Sequence, residues 1–281
     1  MWLLAWTPSR ARAWLGDALA RVWAHADQKR RRIILTNLRL CYPNLTDTER
    51  CDILRTHTRI ACRVLIETAP LMFRSRDHLL DRVDVHGLDY VTHPSLAGRN
   101  LIFLSPHSPA LEHCGMRLCL EHPLLTMVRT HNQPLADWAV SRMRTRFGAL
   151  IFRHDASLLS LVRAVKRGLW FYYLPDEDHG NERAVFAPFF GVAKATIPML
   201  GRLARATDAV VIPMRCAFDP DTNRFSLVLE RAIHVPDGST PEEDARITNA
   251  LIEPLVDAAP EQYLWTHKMF RTRPPGEAPV Y

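Results

Sequence analysis

The residue types best suited to chemistry gather in Leu101-Ile-Phe-Leu-Ser-Pro-His107-Ser-Pro-Ala-Leu-Glu112. An apolar run that reads as a strand delivers His107 at its C-terminal end. Ser108 as N-cap and Pro109 as the first helical residue predict a helix directly after it. Glu112 then falls about one turn inside that helix, where side chains lean back toward the N-terminus. Its carboxylate is expected on one nitrogen of the His107 ring, leaving the other as a general base. The free N–H groups of the helix start would suit an oxyanion or a phosphate. The competing reading is a polar turn with a surface histidine. A metal set of His107, Glu112 and His113 is disfavoured, because adjacent helical residues point to different faces and neither H-E-x-x-H nor H-x-x-E-H is present.

Three further groups follow. Pro175-Asp-Glu-Asp178-His-Gly180 ends a second apolar run, Leu169–Leu174, at the strand edge where open α/β sheets bind ligands. There Asp176 and Asp178 either orient a base, bind a ligand or Mg²⁺, or form a solvated acidic turn. Between residues 129 and 168 basic residues dominate, with Arg142 and Arg146 one helical turn apart and suited to phosphate; a solvated basic face is the alternative. In Tyr263–Pro274 aromatic and basic residues alternate, as in a segment packing one face inward, or in a terminal edge strand.

The elements that must position these groups alternate between strand and helix, which means a layered α/β sheet. Strands are expected at 83–86, 100–104, 124–129, 150–152, 169–174, 209–214 and 225–230. Helices are expected at 134–147, 156–167 and 241–256, from Pro109, and from Thr196 to about 206. Thr46 and Glu49 form a capping box that should open a helix running to about Thr68, stopped by Pro70. Ser9–His25 reads as an amphipathic helix, with Ala11, Trp14, Leu15, Ala18, Leu19, Val22 and Trp23 on one face and Arg10, Asp17 and Arg21 on the other. We divide the chain into a basic membrane-contact segment, 1–32, and one domain, 33–281.

The 281 residues are 47% hydrophobic and 23% charged, which excludes disorder, and no apolar run is long enough to span a bilayer. The net charge of +6 resides wholly in residues 1–40, where eight Lys/Arg meet only Asp17 and Asp27. With tryptophans on the neighbouring helix, that points to an anionic membrane surface and not to nucleic acid, for which no reading module follows. Six cysteines without CxxC or zinc spacing are expected to be reduced thiols.

These pieces, in this order, resemble the bacterial late acyltransferases of lipid A biosynthesis, the lauroyl/myristoyl transferase family. The resemblance runs from Asn37-Leu-Arg-Leu-Cys41-Tyr-Pro43 through His107-x4-Glu112 and Arg129-Thr-His-Asn132-Gln-Pro-Leu-Ala-Asp-Trp138. It continues through Pro175–Gly180 and Phe186-Ala-Pro-Phe-Phe-Gly191 to Phe270-Arg-Thr-Arg-Pro274. It implies a glycerolipid-acyltransferase-like fold and an enzyme on the cytoplasmic face of the inner membrane. Such an enzyme moves a lauroyl- or myristoyl-length chain from acyl carrier protein, or CoA, to a 3-hydroxyacyl hydroxyl of a lipid A precursor. His107 would take the hydroxyl proton and Glu112 would hold the imidazole. Arg129, Asn132, Asp176 and Asp178 would meet substrate, and the apolar strands would line an acyl tunnel. Arg142 and Arg146 would dock the acidic carrier protein or hold lipid phosphate. No cofactor and no metal are implied. The other readings are acylation of a different membrane lipid and a catalytically silent membrane-surface protein. The family usually carries a longer hydrophobic N-terminal anchor than Met1–Trp6.

Overall fold

The computed structural model describes residues 1–128, 134–153, 157–180, 182–235 and 240–281. In it the helices are α1 (Trp2–Trp6), α2 (Ser9–Ala26), α3 (Gln28–Cys41), α4 (Asp47–Phe73), α5 (Arg76–Arg82), α6 (Leu88–Thr92), α7 (Leu111–Cys119), α8 (Pro134–Thr145), α9 (Leu158–Lys166), α10 (Leu200–Thr207) and α11 (Pro241–Asp257). The strands are β1 (Val83–His86), β2 (Asn100–Leu104), β3 (Leu124–Val128), β4 (Leu150–Arg153), β5 (Trp170–Tyr173), β6 (Val185–Phe189), β7 (Val192–Thr196), β8 (Ala209–Asp219) and β9 (Arg224–Leu229).

Among the described residues, seven strands form one sheet in the order β1-β9-β8-β2-β5-β3-β4. All pairs are parallel except β8–β9. Alternation along β2 and β8 explains the layers. Ile102, Leu104 and Val211 face a core shared with α3, α9, α10 and α11. Leu101, Phe103, Val210 and Ile212 face a second core shared with α4, α5, α7 and α8. Strands buried on both faces read as continuous apolar runs, as β2 does.

Several elements differ from expectation for local reasons. The Thr46–Glu49 capping box is present, but α4 continues past Pro70 to Phe73. Proline so near the C-terminus removes one ladder bond, and Ala69, Pro70 and Leu71 are buried. The helix after β2 starts two residues late: Ser108 Oγ accepts from Ala110 N–H in a tight turn, and α7 begins at Leu111. Phe186–Gly191 opens an antiparallel β6–β7 hairpin, its turn formed by Phe190 (φ 50°) and Gly191 (φ 76°). Thr196 therefore ends a strand, and α10 starts at Leu200. The C-terminal run forms no edge strand among the described residues; a short 3₁₀ turn, Pro260–Gln262, leads into an irregular segment. The division drawn at residue 32 falls inside α3, a helix the charge pattern concealed.

Helix α2 turns Arg12 and Asp17 toward α4 and leaves Trp14, Leu15 and Val22 exposed, as are Arg10 and Arg21. Arg12 is buried and forms an ion pair with Glu67 of α4, Nε to Oε1 3.0 Å. Asp17 accepts from Arg59 and Arg63. Gly16 lets the two helices close: a Cβ there would lie 2.6 Å from Arg63 Cδ and 3.0 Å from its Cα. Meanwhile Trp14 and Val22 are each 65% exposed, beside exposed Trp2, Leu3 and Trp6 of α1. Among the described residues no helix is long and apolar enough to cross a membrane.

Candidate active site

Strand pairing builds the site. β2 and β5 are adjacent and parallel, with Leu104 opposite Tyr173. The Ser105 N–H extends the ladder to the Tyr173 carbonyl at 3.1 Å. His107 and Asp176 thus leave neighbouring strands at the same level, on the C-terminal edge at the sheet centre. The Asp176 carboxylate accepts twice from His107: from its backbone N–H at 2.8 Å and from ring Nδ1 at 2.6 Å. An ionised carboxylate can only accept, so Nδ1 carries a proton, and in the neutral ring Nε2 is the base. Nε2 lies 3.6 Å from Glu177 Oε1, and Glu177 lies 3.5 Å from His267 Nδ1. The two histidine rings are 5.3 Å apart.

The electrostatics favour a charged pair. Burial alone would lower the His107 pKa, but the Asp176 carboxylate, through charge and hydrogen bond, and the charge of Glu177 raise it above the ordinary histidine value. Burial likewise opposes ionisation of Asp176. The charge of His107, its two hydrogen bonds and the charge of Lys194 outweigh that and hold Asp176 well below the usual carboxylate range. Lys194, on β7, is wholly buried, and its Nζ has no hydrogen-bond partner among the described residues. Burial lowers its pKa against the pull of Asp176, Asp178 and Glu177. Lys194 acts on Asp176 through charge, with no hydrogen bond to it among the described residues.

Glu112 does not touch His107. It receives a bidentate grip from Arg144 Nε and Nη2 across α7 and α8. The late start of α7 accounts for the correction: the Ser108–Ala110 turn carries Glu112 toward α8, and Asp176 takes the place on the imidazole assigned to it. His113 is also elsewhere, its Nε2 on the Glu67 carbonyl and its ring stacked on Phe225. The set His107, Glu112 and His113 therefore does not converge. A different trio, His107, Glu177 and His267, has ligand atoms within 4.8 Å of one another and is where a metal ion would fit among the described residues.

Asp178 turns away from the imidazole. Its Oδ1 accepts from the Gly180 N–H and the Thr272 hydroxyl, its Oδ2 from the Thr272 N–H at 2.6 Å, and its carbonyl from Arg271. It fastens the Phe-Arg-Thr-Arg run over the site. The Leu264 N–H meets the His107 carbonyl at 3.0 Å. Asn37 donates to the carbonyls of Trp265 and His267, both at 2.8 Å, and accepts from the Tyr281 hydroxyl. Arg142 and Arg146 are both exposed, and Arg146 also donates to the carbonyls of Leu71 and Arg74. Arg129 and Asn132 lie outside the described residues. Among the described residues the central strands are buried on both faces, and the pocket lined by His107, Ser108, Cys216 and Tyr263 amounts to about 10 Å³.

The sequence comparisons bear on what this edge serves. The model of the family described as "Bacterial lipid A biosynthesis acyltransferase" matches residues 1–272. The chain belongs to that family. This acyltransferase is 34% identical to a "Lipid A biosynthesis acyltransferase" of Haemophilus influenzae over 98% of its length and 86% of that protein. It is 31% identical to the "Lipid A biosynthesis myristoyltransferase" of Escherichia coli over 99% and 86%. It is 28% identical to the "Lipid A biosynthesis lauroyltransferase" of the same organism over 98% and 90%. Among solved structures, the 1-acyl-sn-glycerophosphate acyltransferase PlsC of Thermotoga maritima aligns over 89% of this chain and 97% of that one, at 13% identity and a TM-score of 0.41.

A prediction separates the two carboxylates of this acyltransferase. Arg144 lies near enough to lower the His107 pKa by its charge. Glu112→Gln should cost about 2 kcal/mol in denaturant unfolding, less than for a fully buried pair because both side chains are partly exposed. The uncompensated guanidinium should also move the acid limb of the rate profile to lower pH. An unchanged stability and an unchanged profile would remove Glu112 from the site's electrostatics.

Proposed function

We propose that this lipid A acyltransferase moves a fatty acyl chain from an acyl carrier protein thioester to the hydroxyl of a 3-hydroxyacyl chain on a lipid A precursor, at the cytoplasmic face of the inner membrane. The observation that carries the reading is the free Nε2 of a histidine whose Nδ1 is fixed by a buried carboxylate. The acceptor hydroxyl gives its proton to Nε2 as its oxygen attacks the thioester carbonyl. The tetrahedral adduct then expels the thiolate, which takes the proton back from the imidazolium. Asp176 steadies the imidazolium without accepting its proton. Arg142 on α8 and Arg163, Lys166 and Arg167 at the end of α9 are exposed and suit an acidic carrier protein; Arg144 and Arg146 are held by the fold.

The test uses purified enzyme with lauroyl- and myristoyl-loaded carrier protein, the corresponding acyl-CoA, and two acceptors. Product mass should show one chain added to the hydroxyacylated glycolipid and none to lysophosphatidate. Transfer to lysophosphatidate instead would replace the acceptor, and a lower KM for acyl-CoA would replace the donor.

The outward apolar residues of α1 and α2 support contact with a membrane surface. Charges spent inward on α4 and tryptophans turned outward suit a helix lying in the headgroup layer. Removing the whole segment would take Arg12 from the buried Glu67 and leave it Arg82 alone, so substitution is the cleaner test. Trp6, Trp14 and Val22 changed together to Ser should reduce sedimentation with anionic vesicles about tenfold or more while the melting temperature holds. Undiminished sedimentation would place the contact elsewhere.

A further inference from the structure

A cavity of about 300 Å³ opens between the α2–α3 junction and α4, within the range that holds small ligands. Its lining is graded. Buried Ile34, Leu54 and Cys62 lie at the inner end, and exposed Arg30, Arg31 and Arg55 at the rim. Asp27 and Asp52 offset two of these cations, pairing with Arg30 and Arg55. Arg31 has no carboxylate partner among the described residues, and Lys29 and Arg32 flank it in sequence. His57 also lines the space and is 1% exposed. Its Nδ1 lies 3.1 Å from the Glu261 carbonyl, which must accept, so Nε2 is a bare acceptor; it has no partner among the described residues. A filling of hydrocarbon alone would leave that acceptor unsatisfied.

We propose that this cavity is a second lipid site. It takes one alkyl chain of a phosphate-headed membrane lipid that carries a free hydroxyl. The chain lies against Ile34, Leu54 and Cys62, the hydroxyl donates to His57 Nε2, and the phosphate meets Arg31 with Arg30 and Arg55. The polarity excludes the acyl donor as occupant: a donor must bring its polar thioester to His107, whereas here the cations lie at the outer rim. Trp23 and Ala24 of α2 line the cavity, next in sequence to the exposed Val22, and a bilayer lipid would enter from that side. The proposal rests on the membrane reading only for the source of the lipid, and its test needs no bilayer and no turnover.

Trp23 lines the cavity and serves as the reporter. Lysophosphatidylglycerol brominated on its chain, kept below its micelle concentration, should quench tryptophan emission saturably, and Trp23→Phe should remove that component. Ala61→Phe, which fills the space, should abolish it, with Thr58→Tyr from the same helix as a second filler should Ala61→Phe fail to fold. Arg30→Gln with Arg31→Gln should weaken half-saturation about tenfold or more, and so should a brominated monoacylglycerol lacking phosphate. Quenching that rises without saturating overturns the site, as does quenching that survives both cavity-filling variants. Equal binding of the phosphate-free lipid overturns the assigned head group.

Discussion

His107→Ala should lower the turnover of acyl transfer by about 10²–10⁴-fold, the range for losing a positioned general base. The variant should still fold, because most of what His107 gives the structure comes from its backbone: its N–H binds Asp176 and its carbonyl binds Leu264. The loss should fall on kcat and leave the donor KM near normal, since the base acts on the acceptor hydroxyl. Stopped-time assays with purified variant and acyl-loaded carrier protein check this. A variant retaining more than about a tenth of wild-type turnover would take the base away from His107.

The second large effect is expected of Asp176→Asn. The amide keeps the shape but loses the charge that raises the His107 pKa and fixes the proton on Nδ1. Turnover should fall by at least about a hundredfold. The residual activity should carry the sign of the change. In the wild type the base is lost to protonation as pH falls through a His107 pKa lying above 6.5, so the acid limb of kcat/KM stands above that value. Without the Asp176 charge, burial dominates, the imidazole pKa falls, and the acid limb should move to lower pH. Lys194→Met provides the complement. With the buried ammonium gone, Asp176 loses one of the charges that hold it down but stays ionised where His107 titrates, so here the limb should not move to lower pH. An Asp176→Asn profile with an unmoved limb would separate Asp176 from the titration of His107.

Much of the architecture was legible because the strands of this sheet are apolar runs punctuated by proline and glycine. The ends of β1 and β2 follow from such punctuation, and the edge carrying both His107 and Pro175–Gly180 follows from the strand-then-loop pattern. The partner of His107 was not legible. Glu112 is close in sequence and Asp176 is distant, and only the β2–β5 pairing, which no local signal records, brings the distant carboxylate level with the ring. Lys194 was invisible for a related reason: a lysine in a hairpin reads as a solvated residue, and its burial comes from packing. The α2 wheel separated an apolar face, whose Trp14, Leu15 and Val22 are exposed, from the charged one, but the partners of Arg12 and Asp17 were not legible, because Glu67, Arg59 and Arg63 belong to another helix.

The clasp across the site has a consequence for the order in which the protein is made. The carboxylate of Asp178, the carbonyl of His107 and the amide of Asn37 are all satisfied by residues 264–281. While a ribosome still shields that stretch, β2 and β5 can pair and bring His107 to Asp176, yet His267 is missing and the Pro175–Gly180 loop has no Thr272 to hold it. A nascent chain therefore carries the acid–base pair before it carries a finished site, and activity should begin only once residues 264–281 have left the ribosome.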